Sequence, residues 1–163
     1  MITSNVGPFN MKKAIPILLL TILVTFFVSK STSHSDAYTR LHTIGVQRAQ
    51  LGHNTFHLFI ADTEVERTNG LSNIKDMASD EGVAFIFKNS GQKVFWMKDM
   101  LFPLDFVYIH NNRVVELKEN ILPSSYPNTI VNQQPANIVI ELSAGQIKQK
   151  NIQLNDILEL DSN

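Results

Sequence analysis

Residues 95–119 read FWMKDMLFPLDFVYIHNNRVVELKE, and the second half of that stretch spells a β-hairpin. Asp105 to His110 is apolar enough for a buried strand, and Arg113 to Glu119 returns from it. The Asn111-Asn112 pair between them suits a two-residue turn, because asparagine tolerates the left-handed backbone such turns need. Upstream, Pro103 lacks an N–H, so Met100 to Leu104 cannot stay in a regular ladder and Lys93 to Met97 forms a separate strand. The segment Phe95 to Ile109 holds the only tryptophan, three phenylalanines, a tyrosine and two methionines, with Lys98, Asp99 and Asp105 among them. A charge inside so apolar a run is costly unless it is paired or hydrogen-bonded. Chemistry or ligand recognition is therefore expected here.

Working outward, Thr55 to Ile60 reads as a strand. Thr63 followed by Glu66 has the spacing of a capping box, which opens a short helix over Glu64 to Asn69, closed by Gly70. Gly82 to Phe87 is a continuous apolar run of strand length, and Ser90-Gly91-Gln92 supplies a turn. Pro123 to Pro135, rich in Pro, Asn, Ser and Gln, reads as a loop, long enough to be functional or mobile. Asn137 to Leu142 is a strand, Ala144-Gly145-Gln146 opens a second short helix, and Ile157 to Leu160 is the last strand. Many short strands at hairpin spacing and two helical turns predict a mostly β, compact sandwich- or barrel-like single domain. It spans residues 44–163.

The preceding residues read as an address. Met11-Lys12-Lys13 leads into Ala14 to Val28, 15 residues without a charge. That is the form of a secretory signal, with a basic region before an apolar one. As a helix it is about 22 Å long, short of a hydrocarbon core of about 30 Å. Residues 1–30 are thus expected to be a signal peptide or N-terminal hydrophobic membrane anchor, and polar residues 31–43 a linker. The body then lies on the periplasmic or extracellular side.

Charge and composition exclude several classes. The chain has 14 Lys+Arg, 15 Asp+Glu and no cysteine. Lys12, Lys13 and Lys30 precede Asp36, the first acid, so from Asp36 onward 11 cations face 15 acids, a net −4. A mildly acidic body is a poor partner for phosphate backbones, so nucleic acid is not expected as a ligand. Without cysteine there is no disulfide, thiolate metal site or thiol nucleophile. His53 and His57 would lie about 13 Å apart on a strand, and no zinc signature, phosphate loop or Ser-His-Asp motif occurs. No metal and no cofactor is expected.

The chain resembles the bacterial and archaeal family called domain of unknown function 192 over roughly Thr55 to Leu160. The residues that carry the resemblance are Ala61-Asp62-Thr63, Glu66-Arg67, Gly70-Leu71, Glu81-Gly82 with Phe85 and Phe87, and Phe95-Trp96-Met97-Lys98. They continue with Pro103-Leu104-Asp105, Val114-Val115, Glu141-Leu142, Ala144-Gly145 and Asp156. The resemblance implies a compact, mostly β fold, often exported, and no established activity. Ser72 stands where the family usually has Met, Asp99-Met100 where it has Asn-Thr, and Asn155 where it has Gly.

Six residues are candidates for a site. Trp96 and Lys98 share one strand face, with Phe95 and Met97 on the other. Trp96 is either a platform for a flat ligand such as a sugar ring or a core residue, and Lys98 either holds an anion or lies along the tryptophan with its amine in water. Asp105 either pairs with Lys98, acts as a general base, or accepts backbone N–H bonds at a corner. Arg67 is expected on the exposed side of its helix, bonded to Glu141, to Glu81 or to a ligand carboxylate. Glu141 alternates with Ile140 and Leu142 and is expected to face away from the core, in solvent. Three functions fit: a cell-envelope binding module for a small polar, anionic or saccharide ligand, with Arg67, Trp96, Met97, Lys98, Asp105 and Glu141 around it; an enzyme using Lys98 and Asp105; or a structural or assembly protein.

Overall fold

A computed structural model describes residues 45–161. The expected N-terminal signal or anchor and the linker lie outside the described residues. Among the described residues, no helix is long and apolar enough to cross a membrane.

The elements run β1 (Val46–Leu51), β2 (Asn54–Ala61), α1 (Glu64–Asn69), β3 (Glu81–Gly91), β4 (Val94–Trp96), β5 (Leu104–His110) and β6 (Arg113–Ile121). A 3-10 turn at Pro123–Ser125, β7 (Thr129–Val131), β8 (Ala136–Ser143), α2 (Gln146–Gln149) and β9 (Leu158–Leu160) complete the order. Seven strands form one sheet in the order β6-β5-β8-β3-β2-β1-β9, and β4 pairs with β7 in a small separate sheet. The large sheet curls until its two edges touch at one corner. There Arg113 of β6 bridges Ile157 just before β9, and Val114 N donates to Asp156 O at 3.0 Å while Asn155 N donates to Val114 O at 2.9 Å. The result is a half-barrel with a small sheet outside it, instead of two matched sheets.

Local rules account for most elements. Asn111 and Asn112 both have positive φ, 49° and 60°, as the β5–β6 turn requires. Thr63 and Glu66 form the reciprocal capping box at the start of α1. The β2–α1–β3 passage is a crossover, since β2 and β3 pair in parallel from His57↔Glu81 to Ala61↔Phe85; hairpin spacing did not predict a parallel pair. Two further elements differ from expectation. Strand β1 was not foreseen, because VQRAQL alternates only weakly and is held by β2 on one side and β9 on the other. Within the Pro123–Pro135 segment, Thr129–Val131 pairs with β4.

Both faces of the sheet are covered. Leu58, Ala84, Val107, Ile109, Ile140 and Leu142 pack inside the curl with Ile147 of α2 and Leu158 of β9. Phe59, Phe85, Phe106, Tyr108 and Val139 pack outside it, under Leu71, Ile74, Met97, Met100 and Ile130. Residues 104–109 of β5 are all buried for this reason, with alternate side chains going to opposite cores.

Candidate functional site

The outer core opens into a cleft of about 450 Å³. One wall is α1 with the turn through Ser72, and the other is the segment from Gln92 to Trp96. The size is within the range of small-molecule sites. Gly70 closes α1 with φ +42°, and a side chain there would meet the Phe85 ring at 3.2 Å, so the turn and the aromatic wall can approach closely. Phe95 is the centre of that wall. It meets Phe85 edge-on at 5.1 Å, Phe106 at 5.5 Å and Phe87 at 6.5 Å between ring centroids. Aromatic contacts of this type contribute roughly 0.5–1.5 kcal/mol each beyond burial.

Glu141 of β8 lines the cleft. It stands opposite Val83 of β3 and Phe106 of β5, with only 5% of its surface exposed. The expectation of a solvated Glu141 is thus corrected. It does point away from the inner core, but on that side it meets the second core. No described residue forms an ion pair with it. Burial alone pushes its carboxyl pKa up to about 8. At pH 7 the group is mostly a protonated carboxylic acid.

Two cations stand at the mouth over one ring. The Arg67 guanidinium lies 5.3 Å and the Lys93 ammonium 4.5 Å from the Phe87 centroid. Arg67 donates from one guanidinium nitrogen to the carbonyls of Asp62 and of Ile86, the latter at 2.9 Å. Lys93 Nζ donates to Asn89 O at 2.8 Å. Partial burial and the nearby Arg67 charge lower the Lys93 pKa. Neither cation has a carboxylate within ion-pair distance, so the expected Arg67 pairing with Glu141 or Glu81 is replaced by carbonyl bonds. Trp96 lines the same cleft and is 51% exposed, outside the core.

The other candidates lie elsewhere. Met97 is a core residue beneath this region. Lys98 is exposed, and its carbonyl accepts from Ser72 Oγ at 3.3 Å. Asp105 is wholly buried. It accepts from Asn120 N at 2.8 Å and from Ile147 N at 2.9 Å. The Lys98–Asp105 pair is therefore not assembled. Strand alternation sends Asp105 to the side of Val107 and Ile109, where two backbone donors hold it. Arg67, Trp96 and Glu141 come together; Lys98 and Asp105 do not join them.

Lys93, Phe87, Ser72 and Met100 also line the cleft and were not among the six site candidates. A usable signal existed for two. Ser72 and Met100 are departures from the family pattern, and both fall on this one cleft. The other departures, Asp99 and Asn155, have φ of 58° and 73°, a backbone region that Asn and Asp tolerate better than other side chains.

Among the described residues, no group of three or more His, Asp or Glu is placed to hold a metal ion.

The DUF192 family model, described as Uncharacterized ACR, matches residues 46–160. No curated protein matches the chain. Solved structures similar to it include a candidate transcription regulator from Sinorhizobium meliloti 1021, 27% identical, with a TM-score of 0.68 over 72% of this chain and 95% of that one. Another is a protein of unknown function from Novosphingobium aromaticivorans, 21% identical, with a TM-score of 0.67 over 71% of this chain and 86% of that one. That second likeness concerns the fold alone.

Proposed function

The chain belongs to the DUF192 family, and from that premise we propose that its β domain is a binding module for a small polar ligand, held in the cleft between α1 and β4. The observation that carries this reading is Glu141: a nearly buried carboxyl without an ion-pair partner, in a cleft whose mouth has two unneutralised cations and a half-exposed tryptophan. A protonated carboxyl can donate to a hydroxyl, Arg67 and Lys93 suit an anionic group, and Trp96 offers a face to a sugar ring. A saccharide or sugar acid of the cell envelope fits this chemistry. The lysine-led apolar stretch at residues 11–28 supports export, and with it an envelope location.

The regulator description of the Sinorhizobium protein favours no DNA-binding reading here, since the body carries a net −4 and its lysines are scattered along the chain. Trp96 is the only tryptophan and lines the cleft, so its emission reports occupancy. Titrating the purified chain with hydroxylated and anionic sugars should shift or quench that emission saturably. The response should weaken in Glu141→Leu, which removes the carboxyl and leaves Arg67 and Lys93 in place. An unchanged spectrum across the panel overturns the proposal.

A further inference from the structure

The cleft carries both signs of ionisable group at separate positions, a carboxyl within it and two cations at the mouth. Lys93 and Arg67 approach the same Phe87 ring, and each spends donors on main-chain carbonyls instead of an acid. Glu64 lines the same mouth without an ion pair to either. An anion seated between two such cations relieves their mutual repulsion. A purely anionic ligand meets Glu141 only as a neutral hydrogen-bond donor, and a purely cationic one must pass Arg67 and Lys93. A ligand with both charges answers both ends.

We infer that the cleft selects a zwitterionic small molecule, its ammonium seated on Glu141 and its carboxylate held by Arg67 and Lys93. This rests on the binding reading above and names the ligand class. An ammonium in the cleft stabilises the ionised form of Glu141, which burial otherwise disfavours. The other ionisable groups that line the cleft with Glu141 are Arg67, Lys93 and Glu64, and Tyr108 lies on the same sheet face. The Tyr108 phenol stays neutral because burial pushes its pKa above the ordinary value. Binding an ammonium at pH 7 therefore expels the Glu141 proton.

The test is calorimetry on the full chain with three probes on a common ring: muramic acid, with amine and carboxylate; glucuronic acid, with carboxylate only; and glucosamine, with amine only. Muramic acid should bind tightest, by about tenfold or more, as expected for an added charge-assisted contact. Buffers of different ionisation enthalpy should reveal release of about one proton with muramic acid at pH 7. In Glu141→Gln the release should vanish and muramic acid should fall to the level of glucuronic acid. Lys93→Gln should weaken those two ligands equally. Glucuronic acid binding as tightly as muramic acid, with no proton release, overturns the zwitterion inference and leaves the binding reading standing. Failure of all three probes overturns both.

Discussion

Glu141 and Asp105 are acids on adjacent strands of one sheet, and they behave in opposite ways because of which face each occupies. Asp105 turns to the inner core, where two backbone donors meet it. Glu141 turns to the outer core and opens on a cleft. Its raised pKa has a stability consequence with a definite sign. The native carboxyl holds its proton up to about pH 8, whereas the unfolded chain releases it near 4.5. The cost is absent below the lower value, grows as pH rises through the window and is complete above the upper one. Across it the Glu141 contribution should fall by on the order of a few kcal/mol. Glu66 and Glu116 have lowered pKa values and lose stability as pH falls, so they act at the acid end instead. Thermal melts of wild type and Glu141→Gln from pH 4.5 to 8.5 isolate the effect. The variant should gain melting temperature relative to wild type as pH rises. Parallel curves would show that Glu141 is already solvated.

At the scale of elements, Asp105 is a tie between β5, β6 and α2. The register of β5 and β6 shifts between Leu104 and Phe106, opposite Ile121 and Lys118, leaving a bulge at Glu119 and Asn120. Asn120 has φ 55°, and its N–H donates to Asp105. The other Asp105 oxygen caps α2, whose N-cap is Gly145 and brings no side-chain cap of its own. Asp105→Ala strips two backbone N–H groups of their acceptor at once. The expected loss is roughly 2–5 kcal/mol, read as a lower denaturation midpoint at pH 7. A loss near zero would mean that water replaces the carboxylate.

For the whole molecule, the decisive contact is the corner where the sheet's edges meet. Strand β9 is only Leu158–Leu160, yet it pairs with β1, places Leu158 in the inner core, and follows the bridge to Arg113. Ending the chain after Asp156 should expose the β1 edge and open the inner core. Exposed edges invite pairing between chains. The shortened chain should melt at a markedly lower temperature and elute as larger species in size-exclusion chromatography. An unchanged melt and elution volume would show that the half-barrel holds without its last strand.

Most strands, their turns and the family membership were legible in the sequence because they follow from short-range physics, whereas β1 and β7 depend on partners distant in the chain. The NN turn needs left-handed backbone, Thr63 and Glu66 cap each other, Pro103 ends a ladder, and the FWMK and PLD strings are specific. What the tertiary structure alone decided is the environment of each charge. Alternation tells which side of a strand a residue takes, but not what covers that side. Glu141 became buried and Trp96 half-exposed because the covering of that face leaves a cleft between α1 and β4, with Glu141 within it and Trp96 on its wall. Asp105 parted from Lys98 for a similar reason: they lie near each other along the chain, but the path through Pro103 leaves one inside the curled sheet and the other on the surface.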